Sequence, residues 1–271
     1  MPTLTHTVKT PRELYQIAKH LGTWDPADMS LEQDRADFET LNHDEKEQIT
    51  KICALFYEGE VSVADTLAWF TLAMPEPDRR MYLSTHVFEE VKHAEFFERY
   101  FKEVLGEMDT ASFIVPESKN MLMDGLQERG EAMGQALINR DREGLDRALT
   151  MFAAHYMGIV EGVMAQTAYD YVGEMLTSVK MFPKLQEAIR LIRSDEGRHI
   201  IHGMDYLRKQ IAEHPEHKAP VKELFLDNIK SMTLWTQWVF DPNPFGLSQD
   251  RMMTLGYNLH RQRMRDIGLI Q

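Results

Sequence analysis

Cysteine is nearly absent from this sequence: Cys53 stands alone among 271 residues. One thiol can neither close an internal disulfide nor furnish a thiolate metal cluster, and the lack of disulfides fits a reducing cytosol. Basic character is also in short supply, with 30 Lys and Arg against 43 Asp and Glu and a net charge of −13. That balance argues against a nucleic-acid partner, because counterion release needs concentrated positive charge. No run is apolar enough to cross a bilayer, and the opening MPTLTHTVKTPRELYQ has no signal-peptide core. The expected location is therefore cytoplasmic, without a membrane span. Strand signals are missing too: there is no Asn-Gly hairpin and no sustained alternation of β-branched residues.

What remains is a series of long helical segments punctuated by proline and glycine. Asn42 and Glu45 read as a capping box that opens a helix running to Met74, where Pro75 and Pro77 break it. Further helices are expected from about Asp78 to Gly106, over about 118–138, and from about Asp141 to Gly173. Three more should cover Pro183 to about Glu213, 219–239 and 248–266. The pattern divides into an N-terminal strap over 1–41 with one short helix, a bundle over 42–214 and accessory helices over 215–271. No linker separates these parts, so one domain is expected, all-α, with antiparallel packing of long helices.

Two segments carry the chemistry. FEEVKHAEFF holds Glu90 and His93, and IRSDEGRHII holds Glu196 and His199. Residues three apart share a helix face, so each Glu-x-x-His can offer two donors to one ion. Glu60 lies about as far before the turn at Pro75–Pro77 as Glu90 lies after it, the turn falling near the midpoint. Glu161 and Glu196 likewise flank a turn centred near residue 178. Both arms of a helical hairpin rise equally per residue, so each hairpin brings Glu and Glu-x-x-His to one depth. Four buried carboxylates without cations would each cost on the order of several kcal/mol. Two divalent ions would offset that charge, and oxygen-rich donors with two imidazoles favour iron or manganese. Asp195 is placed to accept from the outer nitrogen of a liganding histidine.

This pattern resembles the ferritin-like carboxylate-bridged dimetal proteins, a four-helix-bundle core with additional helices. IRSDEGRH resembles the second motif of the ribonucleotide reductase small-subunit superfamily. Radical-generating small subunits carry tyrosine four residues past the first histidine, where this chain has Phe97. A closer resemblance is to the ligand-binding oxidases of that superfamily, through Val63 three residues after Glu60 and Tyr156 five before Glu161. The resemblance implies a manganese ion at Glu60, Glu90 and His93, an iron at Glu161, Glu196 and His199, and Glu90 bridging them. It further implies O2 activation, a Val63–Tyr156 ether cross-link, a long-chain fatty acid or similar apolar ligand, and a homodimer. A di-iron centre, a radical-generating small subunit and an iron-binding protein remain as alternatives.

Several neighbours of the motifs read otherwise. Five residues on a regular helix leave Tyr156 and Glu161 about 140° apart. The cross-link therefore requires a π-turn within about 156–165, which Gly158 and Gly162 make cheap. Tyr169 and Cys53 are expected as core, and His155 and His202 as non-ligands. The eighteen methionines are expected mostly in the core.

Overall fold

The computed structural model describes residues 9–106, 109–113 and 123–271. Among them are nine long helices and no strand. They are α1 Pro11–Leu21, α2 Glu32–Thr40, α3 His43–Ala73, α4 Pro77–Tyr100 and α5 Gly125–Asn139. Then follow α6 Arg142–Val179, α7 Pro183–Glu213, α8 Lys218–Val239 and α9 Gln249–Asp266. The Asn42 capping box is formed, with Asn42 accepting from the Glu45 amide and Glu45 returning the bond.

Hairpins α3–α4 and α6–α7 pack together as the central four helices, with α1 against α4 and α7, α5 against α3, and α8 and α9 against α6. The apolar faces between them form one buried cluster extending from Met29 to Leu269. By length and composition α6 could cross a membrane, contrary to the reading that no segment could. Its most apolar window is 78% buried in the bundle, so the core accounts for that apolarity.

Three expectations about helices need correction. The strap contains two helices, not one. α1 begins with a Thr10–Glu13 capping box around Pro11. α2 persists because its acids are used elsewhere: Asp34 accepts from the Lys184 and Leu185 amides at 3.0 and 2.8 Å, and Asp37 from the Phe182 amide at 2.8 Å. Those amides belong to the first turn of α7, whose Phe182 cap has φ 60° and offers no side-chain bond of its own. α6 runs past Gly173 to Val179, ending at Lys180 in the left-handed region; glycine weakens a helix by about 1 kcal/mol but does not stop one packed on both sides. The helix expected over 118–138 is observed as Gly125–Asn139, and residues 118–122 of that expectation lie outside the described residues.

Candidate metal centre

The six expected donors converge inside the central four helices. Glu60 comes from α3, Glu90 and His93 from α4, Glu161 from α6, and Glu196 and His199 from α7. Each is at most 7% exposed. His93 Nδ1 lies 3.5 Å from Glu60, 3.6 Å from Glu90 and 3.6 Å from Glu196. His199 Nδ1 lies 3.0 Å from Glu90, 3.5 Å from Glu161 and 3.3 Å from Glu196. Donors bound about 2.1 Å from one ion sit about 3 Å apart, so these are coordination-polyhedron spacings. Glu90 and Glu196 each reach both histidines, one oxygen to each, and Glu90 belongs to both donor clusters.

Each imidazole is aimed by an acid from the opposite motif. His93 donates through Nε2 to Asp195 at 3.2 Å, and His199 donates through Nε2 to Glu89 at 2.8 Å. Both Nδ1 atoms are thereby turned inward. The segments Glu89-Glu90-Val91-Lys92-His93 and Asp195-Glu196-Gly197-Arg198-His199 are thus copies of one device: an outer acid, an inner acid, a cation and a histidine. Arg198 donates to Glu89 at 2.5 Å and to Asp195 at 2.6 Å, while Lys92 donates to Asp195 at 3.0 Å. Trp24 Nε1 also donates to Asp195, at 2.8 Å, which ties the segment after α1 to the centre.

The outer acids have cations and the inner acids have none. Burial works against ionisation of Asp195, but His93 and Lys92 outweigh it and hold the carboxyl well below its usual range. Inside, burial and then Glu90 push Glu60 well up, and burial with Glu90 and Glu161 pushes Glu196 up to about 7. Glu90 and Glu161 are lowered despite burial, because His199 and its neighbours face them. Glu161 Oε2 and His93 Nδ1 lack a hydrogen-bond partner. Inward-facing unpaired donors amid four acids fit a pair of divalent cations.

The π-turn is present. Ala154–Ala165 is π-helical, so its i→i+5 spacing brings Tyr156 and Glu161 towards one face. Tyr156 donates to Glu90 Oε1 at 2.7 Å. Tyr156 and Val63 both line an apolar cavity that ends on Glu60, Glu90, Glu161 and Glu196. Leu55, Phe56, Leu126 and Trp235 supply much of the apolar wall, and two methionines, Met123 and Met164, contribute to it. Tyr169 is not merely core, since its hydroxyl donates to Glu196 at 3.2 Å. His155 and His202 stand outside the donor clusters found among the described residues, and Cys53 is fully buried.

Sequence reasoning missed Glu89, Lys92, Arg198, Trp24 and His86. His86 alone had a usable signal: it precedes Glu90 by four residues and so shares its face. Glu89 sits about 100° round α4 from Glu90, and its partner is on another helix, so spacing along the chain could not reveal it.

A profile described as "Ribonucleotide reductase, small chain" matches residues 12–269. The chain belongs to the ribonucleotide reductase small-chain family. Among solved structures, a variant of R2-like ligand-binding oxidase with an anaerobically reconstituted Mn/Fe cofactor superposes with a TM-score of 0.87 at 23% identity, covering 97% of this chain and 94% of that one. The same oxidase with an aerobically reconstituted Mn/Fe cofactor gives 0.86 at 23%, over 96% and 93%. A variant holding a non-activated Mn/Mn cofactor gives 0.87 at 23%, over 97% and 94%. At that identity the likeness establishes the fold, which is the ferritin-like helical fold expected for this family.

Proposed function

We propose that this small-chain family member is an O2-activating dimetal-carboxylate oxidase acting on a long-chain fatty-acid-like or hydrocarbon ligand. Glu60, Glu90 and His93 would hold one ion and Glu161, Glu196 and His199 the other, with manganese and iron as the pair. The observation that carries this reading is the apolar cavity ending on the four inner carboxylates. A storage site has no use for such an apolar lining, whereas an apolar ligand entering it would set its polar end beside the ions. The Mn/Fe cofactors of the structurally similar oxidases support the choice of metals.

When bound, the metal pair supplies Lewis acidity and the redox capacity for a two-electron oxidation. The chain's own part is to place and shield the ligand and to hold the Tyr156 proton. Leu55, Phe56, Leu126 and Trp235 keep the ligand's tail from water. Burial keeps the Tyr156 phenol protonated, with Glu90 Oε1 as its acceptor. Joining Val63 Cβ to the Tyr156 oxygen breaks one C–H and one O–H bond and makes one C–O bond. The two protons and two electrons released are taken up by O2. Phe97, buried against Phe56 at 5.3 Å, presents no phenol for the radical-generating alternative.

The test is peptide mass spectrometry with metal analysis on protein loaded with Mn(II) and Fe(II) and then exposed to air. The expected result is a joined Val63–Tyr156 peptide pair lighter by two hydrogens, about one manganese and one iron per chain, and an extractable apolar acid. Unjoined peptides with two irons and an empty organic extract would overturn the proposal.

A further inference from the structure

We propose that His86 is a seventh protein ligand of the centre, binding the second ion through Nε2 beside Glu90, Glu161 and His199. The inference rests on the dimetal reading above and adds a donor to it. His86 lies on α4 one turn before Glu90 and is fully buried. Its Nε2 is 3.0 Å from Glu90 Oε1 and 3.3 Å from Glu161 Oε1. These spacings match those of His199 Nδ1 to the same two carboxylates, 3.0 and 3.5 Å. The donor atoms of His86, Glu90, Glu161 and His199 all lie within 4.8 Å of one another, as do those of Glu60, Glu90, His93 and Glu196.

Two donor groups of unequal chemistry result. With Glu196, which faces both histidines, counted in each, both have three carboxylates, but the first has one imidazole and the second has two. Nitrogen donors raise the preference for iron over manganese, and carboxylate oxygens suit manganese. His86 therefore makes the second position the iron position and gives the chain a means of telling the two metals apart. The simpler role for His86, a hydrogen bond to the Tyr156 hydroxyl at 2.8 Å, uses the same nitrogen. Its outer nitrogen lacks the acid that Asp195 and Glu89 supply to His93 and His199. The ring is held by stacking on His199 instead, at 3.5 Å between centroids and 18° between planes.

The experiment loads wild-type, His86→Gln and His86→Phe proteins with equimolar Mn(II) and Fe(II) without oxygen. Retained metal is then measured, together with the rate of iron removal by a chelator. Losing an outer hydrogen-bond partner of a metal ligand costs roughly 10–100-fold in affinity, so losing a ligand should cost at least that. Iron should leave both variants at least about 10-fold faster, with manganese taking its place. X-ray absorption at the iron edge of the unaltered holoprotein gives an answer independent of any variant: imidazole scattering should correspond to two histidines per iron. One histidine per iron, or wild-type iron retention in both variants, overturns the assignment and leaves His86 as a partner of Tyr156. Wild-type protein that retains fewer than two ions overturns the dimetal reading and this inference with it.

Discussion

Arg198 is the most informative residue to change, because one guanidinium serves both halves of the centre. Its NH2 group donates to Glu89 at 2.5 Å and to Asp195 at 2.6 Å, and the residue is only 5% exposed. In Arg198→Gln, Asp195 keeps Lys92 and Trp24, but Glu89 loses its guanidinium and is left with the His199 imidazole alone. Removing one partner of a buried ion pair costs about 3–5 kcal/mol, because the other charge is left uncompensated. Unfolding entropy near 2.1 cal/mol/K per residue amounts to about 0.6 kcal/mol/K for 271 residues. The metal-free variant should therefore melt about 5–9 °C lower in calorimetry. Glu89 and Asp195 also aim His199 and His93, so metal affinity measured against a competing chelator should fall about 10–100-fold. Adding Glu89→Gln removes the bare charge and should restore most of the lost melting temperature. A single variant that melts within about 2 °C of the parent and holds its metals equally well would refute the reasoning.

Metal-free protein should lose stability as pH rises through neutrality. Burial, Glu90 and Glu161 push Glu196 up to about 7, and His93 and His199 stand well above their ordinary values because the acids around them outweigh burial. Groups raised on folding stabilise below their unfolded pKa, and that contribution is lost as pH climbs through the folded value. Glu90, Glu161 and Asp195 shift the other way, and their contribution is lost only in acid. Metals replace the protons, so the gap in melting temperature between loaded and metal-free protein should widen from pH 6 to pH 8; a gap that narrows contradicts the charge assignment. At Gly22 an added Cβ would lie 2.1 Å from Glu89 Oε1, and φ is −81°, so the conflict is packing rather than backbone strain. Gly22→Ala should cost about 1–3 kcal/mol, seen as a melting temperature lower by about 2–5 °C, with weaker metal retention because Glu89 aims His199. Unchanged melting and retention would show that Glu89 can move freely.

The helices were legible because their signals are local. Prolines, caps and apolar spacing fix α3 and α7 to within a residue or two, and α4 as well once the π-helical turn Phe101–Leu105 that continues it to Gly106 is included. The inner donors were legible because three-residue spacing and equal arm lengths are properties of the chain itself. Even the π-segment could be inferred, since Tyr156 and Glu161 face apart on a regular helix. The outer layer was not legible. Glu89 meets His199 and Asp195 meets His93 across the bundle, so each partnership joins residues over 100 positions apart. α2 escaped notice for the same reason, because its purpose lies in the α7 amides rather than in its own apolar face.

The crossed pairing also explains where the demand for metal falls. Glu89 and Asp195 are as deeply buried as the inner acids, yet Arg198 and Lys92 offset them within hydrogen-bonding distance. The inner acids have no such cation: they face the His93 and His199 imidazoles, whose outer nitrogens are already committed to those outer acids, together with His86 and the Tyr156 and Tyr169 hydroxyls. Protonating the imidazoles to balance four carboxylates would require Nδ1 to donate at distances of 3.0–3.6 Å to several oxygens at once, which one N–H cannot do well. A cation with several coordination positions meets that geometry where a proton cannot. The fold thus spends the buried cations Arg198 and Lys92 on the outer layer and leaves the inner layer's charge to bound ions.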